Sequence, residues 1–128
     1  MTRENPKSTC VFPVSKAPSG VMPNKGFHRD LITPETAGSK NFSMHANILS
    51  AGVKTGDILH ESEMGWYILS GRGWITMEGG RYAIGPGDAI YAPATGGVHS
   101  FEVAPEQDLT YVLVFAPPAP VLGRNSQR

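Results

Sequence analysis

The sequence is poor in cysteine, in clustered charge and in long apolar runs. Cys10 is its one cysteine, so an intrachain disulfide is excluded and a reducing compartment is compatible. The 11 Lys and Arg residues balance the 11 Asp and Glu residues, and no two of these basic residues adjoin. Because nucleic acids bind clustered cations, we expect no nucleic-acid partner. With no apolar run near the ~20 residues of a spanning helix and no signal-peptide pattern at the start, we expect a cytoplasmic protein without a membrane partner.

Glycine and proline, by contrast, are abundant. The 128 residues include 15 glycines and 11 prolines, which favour turns and interrupt long helices. Apolar residues do not recur at helical spacing for more than about two turns. A chain of this length is typical of one compact domain. The sequence therefore predicts a single all-β domain built from short strands.

Proline-rich segments flank the part of the chain that is rich in short strands. Residues 1–25 predict an extended N-terminal arm, residues 26–116 the barrel domain, and residues 117–128 a C-terminal tail. The predicted strands are 42–49, 58–60, 66–69, 74–77, 81–84, 89–92, 99–103 and 109–115. Together with glycine-containing turns at 78–81 and 85–88, these runs predict a sandwich or a closed barrel.

The alternation of side chains along a strand predicts which residues share a face. Two sets align on inward faces: His99, Phe101 and Val103 in one strand, and Ile58, His60, Met64 and Trp66 in an extended segment before it. In the run 42–49 the alternating apolar residues are Phe42, Met44, Ala46 and Ile48, so Phe42 is expected inside. The same count predicts that His45 faces solvent.

Between residues 52 and 99, glycines, histidines and a proline follow one another at characteristic spacings. The positions are Gly52, Ile58, His60, Met64 and Gly71, followed by Gly87, Pro93, Gly96 and His99. This order resembles the two sequence motifs of the cupin superfamily, with one inserted residue in the second motif and Val103 in place of its final Asn. The resemblance implies a double-stranded β-helix, a jelly-roll-like barrel that often holds a divalent metal.

In cupins the two motifs supply three histidines and one glutamate to the metal, and this sequence keeps His60 and His99 of that set. Ile58 has no donor atom, and the thioether of Met64 suits Cu(I) better than hard divalent ions. If a bulge turns Glu63 inward, then His60, Glu63 and His99 form a metal site for Fe, Mn, Zn or Ni. The sequence leaves open whether Glu61 or His45 also reaches this site.

Three functions remain open from the sequence. The first is a metal-dependent cupin enzyme acting on a small molecule, by resemblance an oxygenase, isomerase, decarboxylase or hydrolase. The second is a metal-free barrel that binds an apolar or aromatic metabolite, in which His60 or His99 still serves as a general acid or base. The third is a non-catalytic ligand sensor or structural subunit. The predicted substrate-binding residues are Trp66, Met64, Ile58 and Phe101.

The two lost ligand positions favour the second and third functions, since a buried metal needs three or four donors. The retained His60 and His99 favour the first and second, because leucine would pack better in a barrel that only needed filling. We therefore expect a small-molecule enzyme that binds a divalent metal through His60, His99 and a nearby carboxylate, with both histidines catalytic.

The resemblance also implies a homodimer, because cupins associate through a sheet face or by exchange of an N-terminal strand. The arm over residues 1–25 is one surface that we expect to take part. The run 109–115 is another, since Val112 and Val114 give it a second apolar face.

Overall fold

Two antiparallel sheets face each other in the computed structural model, which describes residues 10–59, 61–94 and 98–118. The strands are β1 (Ser19–Met22), β2 (Gly26–Ile32), β3 (Ser43–Leu49), β4 (Glu63–Ser70), β5 (Gly73–Met77), β6 (Gly80–Ile84), β7 (Ala89–Ala92), β8 (His99–Val103) and β9 (Leu109–Ala116). Six strands form one sheet in the order β1-β2-β3-β9-β4-β7, and three form the other in the order β6-β5-β8. The predicted all-β class and cupin-type architecture are confirmed.

The core lies between the sheets because alternate side chains of each strand point the same way. In β4, the buried residues are Met64, Trp66 and Ile68. Ile75 of β5 and Phe101 of β8 reach the same core from the smaller sheet. The alternation of side chains along the strand therefore predicts the inward residues of these strands correctly.

Most of the predicted strand runs are strands, and the exceptions have local causes. The run 58–60 is not a strand where it is described, since Ile58 makes a single isolated bridge to His99. His60 lies outside the described residues. The sequence does not predict β1 and β2, because Pro18 and Pro23 stand close to β1 and polar residues interrupt the apolar pattern of β2. Strand β1 falls within the segment 1–25 that is predicted as an arm.

The turn predicted at residues 78–81 is a two-residue hairpin turn. Met77 pairs with Gly80, so Gly80 already belongs to β6. The two turn residues, Glu78 and Gly79, have φ angles of 49° and 78°. Positive φ at both central positions matches the right-handed twist of the flanking strands.

A one-turn helix, α1 (Pro34–Ala37), joins β2 to β3. Thr33 caps it, since the Thr36 N–H donates to Thr33 Oγ1 at 3.0 Å and the Thr33 N–H donates to Thr36 Oγ1 at 2.9 Å. A short 3-10 helix spans Val14–Lys16. Within the described ranges, no helix combines the length and apolarity needed to cross a membrane.

Strand β3 turns its polar face toward the core, opposite to the prediction for the run 42–49. Ser43, His45 and Asn47 are buried, whereas Phe42 is exposed. The prediction that His45 faces solvent is therefore wrong.

The reason for this orientation lies on the neighbouring strand. His45 Nδ1 lies 2.9 Å from Asp30 Oδ1 of β2, and His45 Nε2 lies 2.8 Å from Ser43 Oγ. Because an ionised carboxylate only accepts, Nδ1 donates a hydrogen bond to Asp30, while Nε2 and the Ser43 hydroxyl share the second hydrogen bond. The Phe115 ring packs edge-on against the imidazole at 5.3 Å. These partners remove most of the penalty for burying polar groups.

We predict that His45→Leu lowers the free energy of unfolding by about 2 to 3 kcal/mol, because it removes a buried hydrogen bond to the Asp30 carboxylate. The double variant Asp30→Leu/His45→Leu should recover part of this loss, since it removes the buried carboxylate as well. Urea unfolding measures both. As a control, Glu102→Gln breaks an exposed ion pair with Arg81 and should change stability by less than about 1 kcal/mol. An equally small effect of His45→Leu would contradict the buried pair.

Candidate functional site

A cavity of about 50 Å³ lies between the two sheets. Its walls are formed by strands β3, β4, β8 and β9, by the turn between β1 and β2, and by the segment before β4. The lining residues are Met22, Lys25, Asn47, Leu49, Thr55, Ile58, Met64, Trp66, His99, Phe101, Tyr111, Leu113 and Phe115. Because one water needs roughly 10–15 Å³ on this measure, the cavity holds about three to five water-sized groups. Apolar walls with a few polar side chains are typical of small-molecule sites.

His99 is the imidazole that lines this cavity within the part of the chain that the structure describes. Its side chain is almost fully buried, with 2% of the residue exposed. Its backbone N–H donates to the Ile58 carbonyl at 2.9 Å, and the Ile58 N–H donates to the His99 carbonyl at 2.7 Å. The Trp66 ring lies edge-on to the imidazole, with the ring centroids 4.9 Å apart. The backbone bridge and the aromatic contact together fix the imidazole at the cavity wall.

The predicted substrate-binding residues all line this cavity: Trp66, Met64, Ile58 and Phe101. The ring of Trp66 lies edge-on to that of Phe101, with the ring centroids 5.8 Å apart. The Phe101 ring stacks on the Tyr111 ring, with the centroids 5.6 Å apart. The structure thus brings these residues together with His99. Their contact with a substrate stays a prediction.

The Glu63 carboxylate lies on the outer side of β4. Glu63 is exposed beside the buried Met64 and accepts a hydrogen bond from the Tyr91 hydroxyl at 2.6 Å. This bond raises the pKa of the Tyr91 phenol, because the carboxylate holds the proton on the phenol. The irregular register between β4 and β9 falls between Ile68 and Ser70, away from Glu63. The predicted inward turn of Glu63, and with it its role as a metal ligand, is therefore wrong.

Two other residues considered for the site also stay away from it. Glu61 is exposed. His45 is buried, but both of its ring nitrogens pair with Asp30 and Ser43, and it does not line the cavity. Neither residue replaces Glu63 as a carboxylate or imidazole donor.

A divalent metal of the kind that cupin motifs bind does not fit the donors that the described residues place at this cavity. Such ions need three or four nitrogen or oxygen donors. Of the four motif positions, His99 supplies one nitrogen, Met64 supplies a thioether and Ile58 supplies no donor, while His60 lies outside the described residues. Across residues 10–59, 61–94 and 98–118, His, Cys, Asp and Glu form no group of three that could hold a metal.

Several polar residues at the cavity are not predicted by the sequence. Lys25 stands in the segment predicted as an arm, and Asn47 stands on the face of β3 predicted to point outward. Thr55 follows a glycine-rich turn, where its hydroxyl donates to the Gly56 carbonyl at 2.9 Å and accepts from the Phe101 N–H at 3.0 Å. Predicting that these residues line the cavity requires knowledge of which strands pair with one another. The alternation of residues along one strand does not provide it.

Comparison with known proteins identifies the family. A family model described as a cupin domain matches residues 46–115. This match covers more than half of the chain and includes both motifs, so the chain belongs to the cupin family. No curated protein sequence matches the chain.

Solved structures share this fold. The polyketide cyclase RemF from Streptomyces resistomycificus is 24% identical, with a TM-score of 0.72 over 85% of this chain and 80% of that chain. A predicted oxalate decarboxylase from Thermotoga maritima is 25% identical, with a TM-score of 0.69 over 84% and 98%. The oxalate decarboxylase of Bacillus subtilis, which has Mn(II) centres, is 23% identical, with a TM-score of 0.70 over 89% of this chain and 32% of that chain. Activities this varied on one fold do not select a substrate.

We predict that Glu63→Gln lowers the pKa of Tyr91 toward that of an ordinary phenol, because the charged acceptor of its proton is removed. Ultraviolet difference titration measures the change, and Tyr91→Phe identifies the signal among the other tyrosines. The metal content of the purified protein should be the same with and without this substitution. A metal that is lost in Glu63→Gln would contradict the outward position of the carboxylate.

Proposed function

We propose that the protein is a small-molecule enzyme of the cupin family in which His99 performs acid–base chemistry in the cavity between the sheets. The observation that carries this proposal is a fixed imidazole at the wall of an apolar cavity whose described lining contains no carboxylate. The arrangement supports a metal-free reaction better than the metal-dependent one that the motifs imply.

The chemistry follows from the surroundings of His99. Imidazole titrates near neutral pH, so it can both accept and donate a proton under ordinary conditions. The edge-on Trp66 ring and the neighbouring Phe101 exclude water from one side of the imidazole. A substrate group held in the cavity would then exchange its proton with the imidazole rather than with solvent.

His60 is proposed as the second catalytic histidine. The support for this role is its place in the sequence, two residues after Ile58, whose backbone pairs with His99. In the cupin motif this position faces the same barrel interior as His99.

A metal-dependent enzyme is the second candidate. It is favoured by the match to the cupin motifs at His60 and His99, and by the Mn(II) centres of a Bacillus subtilis protein with this fold. Fe, Mn, Zn or Ni would then need donors in addition to those that the described residues supply. The two candidates differ in a property that can be measured without knowing the substrate, namely the metal content.

We predict that protein purified without an affinity tag or chelator contains far less than one Fe, Mn, Zn or Ni per chain, as measured by elemental analysis. Turnover found in a screen of small organic acids should survive treatment with a chelator. In His99→Gln it should fall by about 10²-fold or more, the usual contribution of a general acid or base. His28→Gln, which alters a histidine outside the cavity lining, is the matched control. Stoichiometric metal that disappears in His99→Gln would instead establish the second candidate.

The outer face of the six-stranded sheet supports the proposed homodimer. Apolar side chains stand exposed across it, among them Val21 (67%) on β1 and Tyr67 (50%) and Leu69 (50%) on β4. Val112 and Val114 of β9 are half-buried in the middle of this face. An apolar face that extends across several strands is typical of an interface with a second subunit.

We predict that Tyr67→Glu converts the dimer to a monomer, because it places a charge in the middle of this interface. Light scattering coupled to gel filtration measures the mass. The control is Thr76→Glu, which adds the same charge to an exposed position of the smaller sheet and should leave the dimer intact. A monomeric parent protein, or a Tyr67→Glu variant of unchanged dimer mass, would contradict this interface.

A further inference from the structure

One end of the cavity contains a buried amide that is incompletely hydrogen-bonded. Asn47 of β3 is 4% exposed and lines the cavity. Its Nδ2 donates to the Tyr111 hydroxyl across a long 3.4 Å, and its Oδ1 has no hydrogen-bond partner. A buried polar atom without a partner is unfavourable, so a ligand group that pairs with it gains affinity.

The chemistry of that ligand group follows from the amide. The atom that lacks a partner, Oδ1, is an acceptor, and a rotation of the amide by 180° would put the donor Nδ2 in its place. A hydroxyl group fits both cases, because it donates one hydrogen bond and accepts others. A methyl or methylene group fits neither.

A cation stands at the same cavity. Lys25 lies in the turn between β1 and β2, and this turn is fixed on both sides. Its N–H donates to the Met22 carbonyl at 2.8 Å, and the Ser50 N–H donates to its carbonyl at 2.7 Å. The backbone of Lys25 is therefore fixed at a position from which this residue lines the cavity.

The charge of Lys25 is not balanced by the protein around it. Among the described residues, no carboxylate lies within ion-pair distance of its ammonium group, and none lines the cavity. A positive group beside a cavity with apolar walls attracts an anion more strongly than it would in open water.

We propose that Lys25 and Asn47 form a subsite for a short hydroxycarboxylate, with the carboxylate bound by Lys25 and the hydroxyl by Asn47. The free volume, about 50 Å³, limits the ligand to a short acid no larger than about the size of lactate. This subsite names the substrate class of the proposed enzyme, and it rests on the proposed use of the cavity for a small molecule.

Calorimetric titration with three small molecules of similar size tests the subsite. Lactate has both groups, propane-1,2-diol lacks the charge, and propionate lacks the hydroxyl. Lactate should bind about tenfold more tightly than either of the others, which corresponds to one charge-assisted hydrogen bond or one satisfied buried amide. Added salt should weaken the binding of lactate and leave the binding of propane-1,2-diol unchanged.

Two variants assign the binding to the named residues. Lys25→Met should lower the affinity for lactate about tenfold and leave the affinity for propane-1,2-diol unchanged. Lys54→Met, which removes an exposed lysine outside the cavity lining, should change neither. Asn47→Leu should abolish the preference for lactate over propionate. If this buried substitution prevents folding, as circular dichroism would show, Lys25→Met decides by itself.

The outcomes separate this subsite from the proposed function. If propane-1,2-diol binds and lactate binds no better, or if Lys25→Met leaves the lactate affinity unchanged, the subsite is refuted and the use of the cavity stands. If none of the three molecules binds, the subsite is refuted, whereas the proposed function is decided separately by the metal content and by the turnover of His99→Gln.

Discussion

The hydrogen bond between His45 and Asp30 determines which face of β3 is buried, and the rest of the molecule depends on that choice. The side-chain period of a strand is two, so a shift of one residue would exchange every inward and outward residue. With His45 inside, Ser43 and Asn47 are inside as well. The even-numbered apolar residues of β3 then lie on the outer face of the larger sheet. One buried pair thus gives the cavity a polar wall and gives the outer sheet face its apolar surface.

The cavity consequently has two chemically different parts. Trp66 and Phe101 surround His99 with aromatic rings, and Asn47 and Lys25 supply an amide and a cation. A lysine at the wall repels a divalent cation and attracts an anion, and this agrees with the absence of a carboxylate from the described lining. The cupin fold is preserved while two of the four donors of its usual metal site are replaced, by Ile58 and Met64. This combination is expected where a fold is retained and its chemistry changes.

Sequence reasoning predicts those parts of this structure that depend on one strand at a time. The strand pattern, and the inward faces of β4 and β8 with Trp66 and His99, follow from alternation within a run. The face of β3 does not, because it is set by Asp30 on another strand. An inward Glu63 requires a local bulge, but β4 stays regular there, and the Glu63 carboxylate accepts a hydrogen bond from the Tyr91 hydroxyl instead. The function of the cavity depends on several strands together, so a single motif does not fix it.

The orientation of β3 can be measured directly through the imidazole of His45. Nuclear magnetic resonance detects an imidazole N–H that is buried and hydrogen-bonded to a carboxylate as a separate, slowly exchanging signal far downfield. The account predicts such a signal for His45 Nδ1, and predicts that it is absent from His45→Gln and from Asp30→Asn. A ring proton of His45 that exchanges freely with water would show that β3 presents its polar face to solvent. In that case, neither the polar end of the cavity nor the apolar outer face would exist as described.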